Sequence, residues 1–265
     1  MKRPTLPERI ICLTEEAVEL LYLLGEEDRI VGVSQFAERP DRVKKEKPVV
    51  SVFTHANQKK VLDLKPDLII GYSDIQKDIA KNFIELGQNV WISNHRSLQE
   101  TLNYCAALAA MVGKKDEYDH MVSQWLLKIE DIVEKVRERG KRFKVYLEEW
   151  DEPRISGIRY FSELMEVCGF DDINGHLRDG TLAKDRFPDD HHILKSDPDI
   201  IFACWCGKKV DIKSIKEREG WTNLKATSND QVYELEPEVF LQPGPALFES
   251  GLDILWDYYE RISKD

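Results

Sequence analysis

The chain has 265 residues, enough for one large domain or for two lobes with cores of their own. Its 38 basic and 49 acidic residues give a formal net charge of -11, which argues against nucleic acid and anionic membrane surfaces as general partners, since both reward clustered Lys and Arg. No apolar run approaches the roughly 18–20 residues that a membrane helix needs. The five cysteines (Cys12, Cys105, Cys168, Cys204 and Cys206) are odd in number and scattered, poor material for a disulfide framework and in keeping with a reducing compartment.

The segment Met1 to Arg9 carries positive charge but meets the first strand at once. It has no apolar h-region and no small-residue cleavage site, so the expected setting is the cytoplasm, with the periplasm as the alternative if a leader has been removed. Arg9 to Leu13 reads as a strand, and Thr14 is placed to cap a helix that carries Val18, Leu21, Tyr22 and Leu24 on one side and stops at Gly25. A strand at Ile30 to Val33 and a basic loop from Pro40 to Pro48 follow. Next comes Val61-Leu62-Asp63-Leu64-Lys65-Pro66-Asp67-Leu68-Ile69-Ile70-Gly71, a short amphipathic helix broken by Pro-Asp before a buried strand. A helix from Ile75 to Leu86, a strand at Val90 to Ile92 and a helix from Ser97 to Met111 complete an alternation that indicates a parallel α/β sheet.

From Lys115 to Arg139 the periodicity is helical throughout, with Tyr118, Met121, Val122, Trp125, Leu126, Ile129, Ile132, Val133 and Val136 on one stripe. About 25 residues at 1.5 Å each span roughly 37 Å, long enough to cross from one lobe to another; an ordinary surface helix is the other reading. Beyond Gly140 the alternation restarts with strands at Phe143 to Glu148, Ile200 to Ala203 and Gln231 to Leu235, and with helices at Tyr160 to Val167 and Ala246 to Ile262. His192-Ile193-Leu194-Lys195-Ser196-Asp197-Pro198-Asp199-Ile200-Ile201-Phe202 repeats the earlier helix, Pro-Asp break and strand. The repeat predicts two similar α/β lobes, and a cleft between such lobes is a natural ligand site.

Ligands of such sheets sit beyond the carboxyl ends of the strands. That rule selects Thr14, Glu15, Gln35, Phe36, Phe53, His55, Tyr72 and His95 in the first half, and Trp150, Trp205, Cys206, Phe240 and Gln242 in the second, with Tyr160 as a further wall. The set is rich in aromatics and amides, as a broad, amide-fringed metal chelate would want. Trp150 and Trp205 have a packing role at lobe edges as their alternative. Cys204 and Cys206, alternating on a strand, would face one side; Cys206 is a candidate axial ligand to a metal chelate, and Cys204 reads as a buried thiol. His55 and His95 read as axial ligands or as hydrogen-bond donors. Gln242-Pro243-Gly244-Pro245 is a rigid rim or a simple connector. There is no Gly-x-Ser-x-Gly, no Gly-rich phosphate loop and no His-Glu-x-x-His, so no catalytic constellation and no catalytic cofactor are expected.

Arg9 to Leu13, Glu19-Leu20, Arg29 to Ser34, Leu64 to Ile69 and Leu164-Met165-Glu166-Val167-Cys168-Gly169, in that order and spacing, resemble the helical-backbone substrate-binding protein family, whose members bind cobalamin, siderophore-chelated iron or haem. Glu149 to Gly157, Trp205 to Lys209 and Leu241 to Ala246 are similar to a narrower, often signal-less cobalamin-binding subgroup. The resemblance implies an α/β protein of two Rossmann-like lobes with mainly parallel sheets, at 1–113 and 141–265, joined by one backbone helix at 114–140. It also implies a corrinoid captured in the cleft, bound without enzymatic chemistry, by a monomer acting inside the cell. An importer's periplasmic receptor for cobalamin, haem or a ferric siderophore is the alternative, and an enzyme or chaperone for a metal-tetrapyrrole a third. Lys59 stands where family members carry a glutamate that docks on permease arginines, and Leu241 where the second such glutamate falls, so docking to an ABC permease is disfavoured.

Overall fold

The computed structural model describes residues 5–264; Met1 to Pro4, part of the segment read above for a leader, and Asp265 lie outside the described residues. The chain divides into two compact units. The first takes the chain up to His95, then Gln99–Gln124 and Gln242–Ala246; the second takes Arg96–Leu98, Trp125–Leu241 and the chain from Leu247 on.

Among the described residues of the first unit, β1 (Ile10–Cys12), β2 (Ile30–Ser34), β3 (Val49–Val52), β4 (His55–Ala56), β5 (Leu68–Tyr72) and β6 (Val90–Ser93) form one sheet in the order β4-β3-β2-β1-β5-β6. All neighbours are parallel except β3 and β4. Its central strands are apolar throughout: Ile10, Ile11, Cys12, Ile69 and Ile70 are wholly buried, as a parallel sheet covered on both faces requires. In the second unit β7 (Phe143–Asp151), β8 (Arg154–Ser156), β9 (Phe170–Asp172), β10 (Ile200–Ala203) and β11 (Val232–Glu234) run β11-β10-β7-β8, with β9 pairing β7. Only β8 is antiparallel to its neighbour.

The two Pro-Asp blocks fold alike. The helix Gln58–Asp63 precedes β5 and the helix Asp190–Ser196 precedes β10. In each, the residue before proline is left-handed, Lys65 at φ 49° and Asp197 at φ 48°. That conformation ends the helix, and proline cannot continue it. The aspartate then ties the new strand to the start of its sheet. Asp67 accepts from the Glu8 and Arg9 amides at 2.8 and 3.0 Å, and Asp199 accepts from the Lys144 amide at 2.8 Å. A reciprocal backbone bond of 2.9 Å runs from the Asp67 amide to Arg9 and from the Asp199 amide to Lys144.

The helix Lys115–Arg139 has the limits its periodicity predicts, and its residues up to Gln124 count with the first unit, those from Trp125 with the second. Its buried face is narrower than the predicted stripe. Tyr118, Trp125, Ile132 and Val136 are buried, whereas Leu126 and Val133 are exposed by 43% and 46%. The buried positions are seven, seven and four residues apart, spacings that drift little around the helix, so one contact line is enough and its apolar flanks stay outside. The loop expected from Pro40 to Pro48 holds a short helix, Val43–Glu46. The closing helix begins as a π-helical turn, Leu247–Gly251, before Leu252–Lys264.

Candidate functional site

In the first unit the carboxyl ends of the strands lead into a layer of buried polar groups. Thr14 stands at the N-cap of the helix Glu15–Leu23 but does not cap it; its hydroxyl donates to Glu16 Oε1 at 2.6 Å. Glu16 is buried, and burial, helped by the charge of Glu15, pushes its carboxyl up to about 8. Burial likewise raises Glu15 to about 7. Glu19, also buried, binds Arg39 at 2.7 Å and accepts from the Ala246 amide at 3.0 Å.

His95 is buried with both ring nitrogens engaged. Nε2–H donates to the Pro243 carbonyl at 2.9 Å, which leaves Nδ1 to accept from the Ser93 hydroxyl at 2.8 Å. The ring stacks on Tyr104 at 4.3 Å and meets Tyr72 edge-on at 4.9 Å. A histidine so bound has no lone pair for a metal, which corrects the axial-ligand reading of His95. Tyr72 is buried, and its amide donates to Gln76 Oε1 at 3.0 Å; Phe53 is half-buried, its carbonyl accepting from Gln76 Nε2 at 2.9 Å. Gln35 and His55 are exposed and Phe36 half-buried. His55 lines an open surface depression of about 460 Å³ with Thr54, Asn57 and Asp78. Gln242 is buried and counts with this unit.

In the second unit the end of β7 reads Glu148-Glu149-Trp150-Asp151, and each carboxylate meets a cation. Glu148, wholly buried, accepts from both terminal nitrogens of Arg218 at 2.6 and 2.8 Å, from the Tyr146 hydroxyl at 2.8 Å and from Trp205 Nε1 at 3.1 Å. Glu149 pairs with Arg186 at 2.7 Å and accepts from the Ile158 amide at 2.7 Å. Asp151 takes Lys208 Nζ on both oxygens at 2.7 and 2.8 Å. The same ammonium lies 4.5 Å from the centre of the Trp150 ring and 4.7 Å from that of Trp205.

Trp150 is half-buried, while Trp205 is 2% exposed and belongs to a core cluster with Tyr146, Ile193, Ile201 and Trp221. Tyr160 and Phe240 are buried too, Phe240 against Phe161 at 5.6 Å. The two thiols do not share a face. β10 ends at Ala203, so the alternation that would align them stops; Cys204 is buried, its thiol pushed up by desolvation, and Cys206 is exposed. Among the described residues no group of three or more His, Cys, Asp or Glu could hold a metal ion. The strand-end rule did not select Glu16, Tyr104, Arg186, Arg218 or Lys208; the one available signal was for Lys208, which lies in the Trp205 to Lys209 segment of the resemblance.

The family model for periplasmic binding proteins matches residues 10–239. The chain belongs to the periplasmic binding protein family. Its members are solute-binding rather than catalytic proteins. The chain is 24% identical to a substrate-binding lipoprotein of an ABC transporter from Bacillus subtilis, over 98% of this chain and 82% of that one. It is also 24% identical to a vitamin B12-binding protein of Vibrio cholerae, over 94% of this chain and 88% of the relative. A periplasmic haem-binding protein of Pseudomonas aeruginosa has the same fold, with a TM-score of 0.81 at 18% identity, covering 96% of this chain and 93% of that structure. Among the described residues no helix is long and apolar enough to cross a membrane.

Proposed function

We propose that this chain is the substrate-binding component of an ABC-type importer and takes a metal chelate, with cobalamin the first candidate and haem or a ferric siderophore the alternatives. The observation that carries the reading is the correspondence over 94% of the chain with a protein named for binding vitamin B12. The side chains support it: half-buried Phe36 and Phe53 stand just after strand ends and half-buried Trp150 in the last residues of β7, toward the ends at which sheets of this kind receive ligands. Glu15, Gln35 and His55 add polar partners for a chelate's rim. Of the predicted contacts, these and Cys206 are exposed or half-buried; Thr14, Tyr72, His95, Tyr160, Trp205, Phe240 and Gln242 are buried.

The relatives' lipoprotein and periplasmic settings favour the exported receptor over the intracellular carrier expected from the sequence. One observation keeps the carrier as the second reading. Lys59 is 86% exposed on the helix Gln58–Asp63, paired with Asp63 one turn on at 2.8 Å, and it presents a cation where the resemblance expects an acid for a permease.

Titration of the full chain with cyanocobalamin, haemin and a ferric siderophore, followed by calorimetry and absorbance, tests the function. Saturable binding of cyanocobalamin at micromolar or lower concentration is expected. Binding of haemin or the siderophore alone would replace the ligand, and no binding of any of the three would end the chelate reading.

A further inference from the structure

Lys208 sits on the exposed turn Cys206–Lys209 that leaves β10, where Gly207 at φ 74° supplies the left-handed step. Its ammonium is held by two indole faces and by both oxygens of Asp151. The indoles themselves are fixed by their edges, Trp150 Nε1–H to the Glu152 carbonyl at 3.0 Å and Trp205 Nε1–H to Glu148. The half-buried ring of Trp150 and the one face of buried Trp205 that meets Lys208 are therefore what this aromatic shelf has left to offer, and the chain's own cation lies over them. We propose that Lys208 is a displaceable latch: it competes with the flat face of the chelate for the shelf of Trp150 and Trp205, and ligand binding moves it off. The inference rests on the chelate-binding reading and names the residue that sets the affinity of that site.

Two features of the shelf favour a latch over an anchor for an acidic group of the ligand. Asp151 already takes the ammonium with both oxygens, and its carboxylate would repel an incoming acid. The contacts are also of displaceable strength. The Lys208 side chain is 41% exposed and that of Asp151 23%, so the ion pair and the cation–π contacts are each weak and together hold the closed form by on the order of tenfold. That is enough to order the turn and to exclude weak ligands, while a broad apolar face can still outbid it.

The test is calorimetric titration of the wild-type chain, Lys208→Ala and Asp151→Asn with cyanocobalamin and with haemin, with circular dichroism to verify the fold of each variant. The latch predicts roughly tenfold tighter binding by Lys208→Ala and a smaller gain by Asp151→Asn, which leaves the ammonium on the rings without its carboxylate. It also predicts that added KCl tightens binding by the wild type, by screening the exposed pair, more than binding by Lys208→Ala. Unchanged or weaker binding by Lys208→Ala, in a chain that binds when wild type, overturns the latch alone. Failure of both wild type and Lys208→Ala to bind either chelate removes the proposed function, and the latch with it.

Discussion

Each unit places two adjacent glutamates where the central strand of its sheet ends, and the two solve the same electrostatic problem in opposite ways. In the second unit Glu148 and Glu149 meet the guanidinium groups of Arg218 and Arg186. In the first, Glu15 and Glu16 form no ion pair among the described residues, and burial raises both acids instead. A buried carboxylate must be matched by a countercharge or become neutral, and these two pairs of glutamates take one course each. The arginine solution fixes geometry: Glu148 at once orients Arg218, Tyr146 and the indole of Trp205, and so the shelf under Lys208. The proton solution makes the first unit responsive to pH.

The largest break in this comparison comes from the second unit. Glu148→Ala leaves the Arg218 guanidinium, 14% exposed, without its partner, and removes the acceptor of the Trp205 N–H. Breaking a buried pair from one side costs about 3–5 kcal/mol. Urea denaturation should show that loss; a cost below about 1 kcal/mol, the range of exposed pairs, would mean the network is solvated and the contrast between the units is false.

A smaller effect tests what keeps water from the acids of the first unit. The segment Gln242–Ala246 is held by the His95 and Glu19 bonds, and it brings Gly244 onto Glu16. A Cβ on Gly244 would lie 2.5 Å from Glu16 Cβ and 3.0 Å from its Cα, so the neighbour that must yield includes backbone. Gly244→Ala should cost about 1–3 kcal/mol in thermal or chemical denaturation, the usual range for overpacking. A neutral substitution would show that the segment does not press on Glu16.

How much of this was visible in the sequence follows from how local each cause is. The Pro-Asp blocks, the long helix Lys115–Arg139 and the buried central strands were legible because helix ends and hydrophobic periodicity are set by neighbours in sequence. The two-residue β4 and the three-residue β8 and β9 were not, being too short for a period and fixed by their partners. The strand-end rule selects positions by sequence alone and could not sort exposed side chains from buried ones. Trp205, Tyr160 and Phe240 point into the core, and only the pairing of strands decides that. The Cys204 and Cys206 geometry failed because a strand's alternation holds only while the strand lasts. Lys208 and Arg218 escaped notice because their partners, Asp151 and Glu148, lie far away in sequence.

The finest test of the contrast is the pH dependence of stability. Folding raises Glu16 from 4.5 to about 8 and Glu15 from 4.5 to about 7, so between those limits the folded chain holds protons that the unfolded chain has released. Unfolding then releases protons, and stability falls as pH rises, by up to about 1.4 kcal/mol per pH unit for each proton; below about 4.5 both states are protonated and the dependence vanishes. Asp172 in the second unit, raised by burial to about 6, adds to the lower part of the same fall and stays in any variant of the first unit. Glu16→Gln keeps the shape of a protonated glutamate and cannot ionise. Its denaturation midpoint should match the wild type at or below about pH 4.5 and exceed it increasingly as pH rises to about 8. Parallel curves for the two proteins across that window would mean that Glu16 is ionised in the folded chain, and that the first unit, like the second, has found a countercharge.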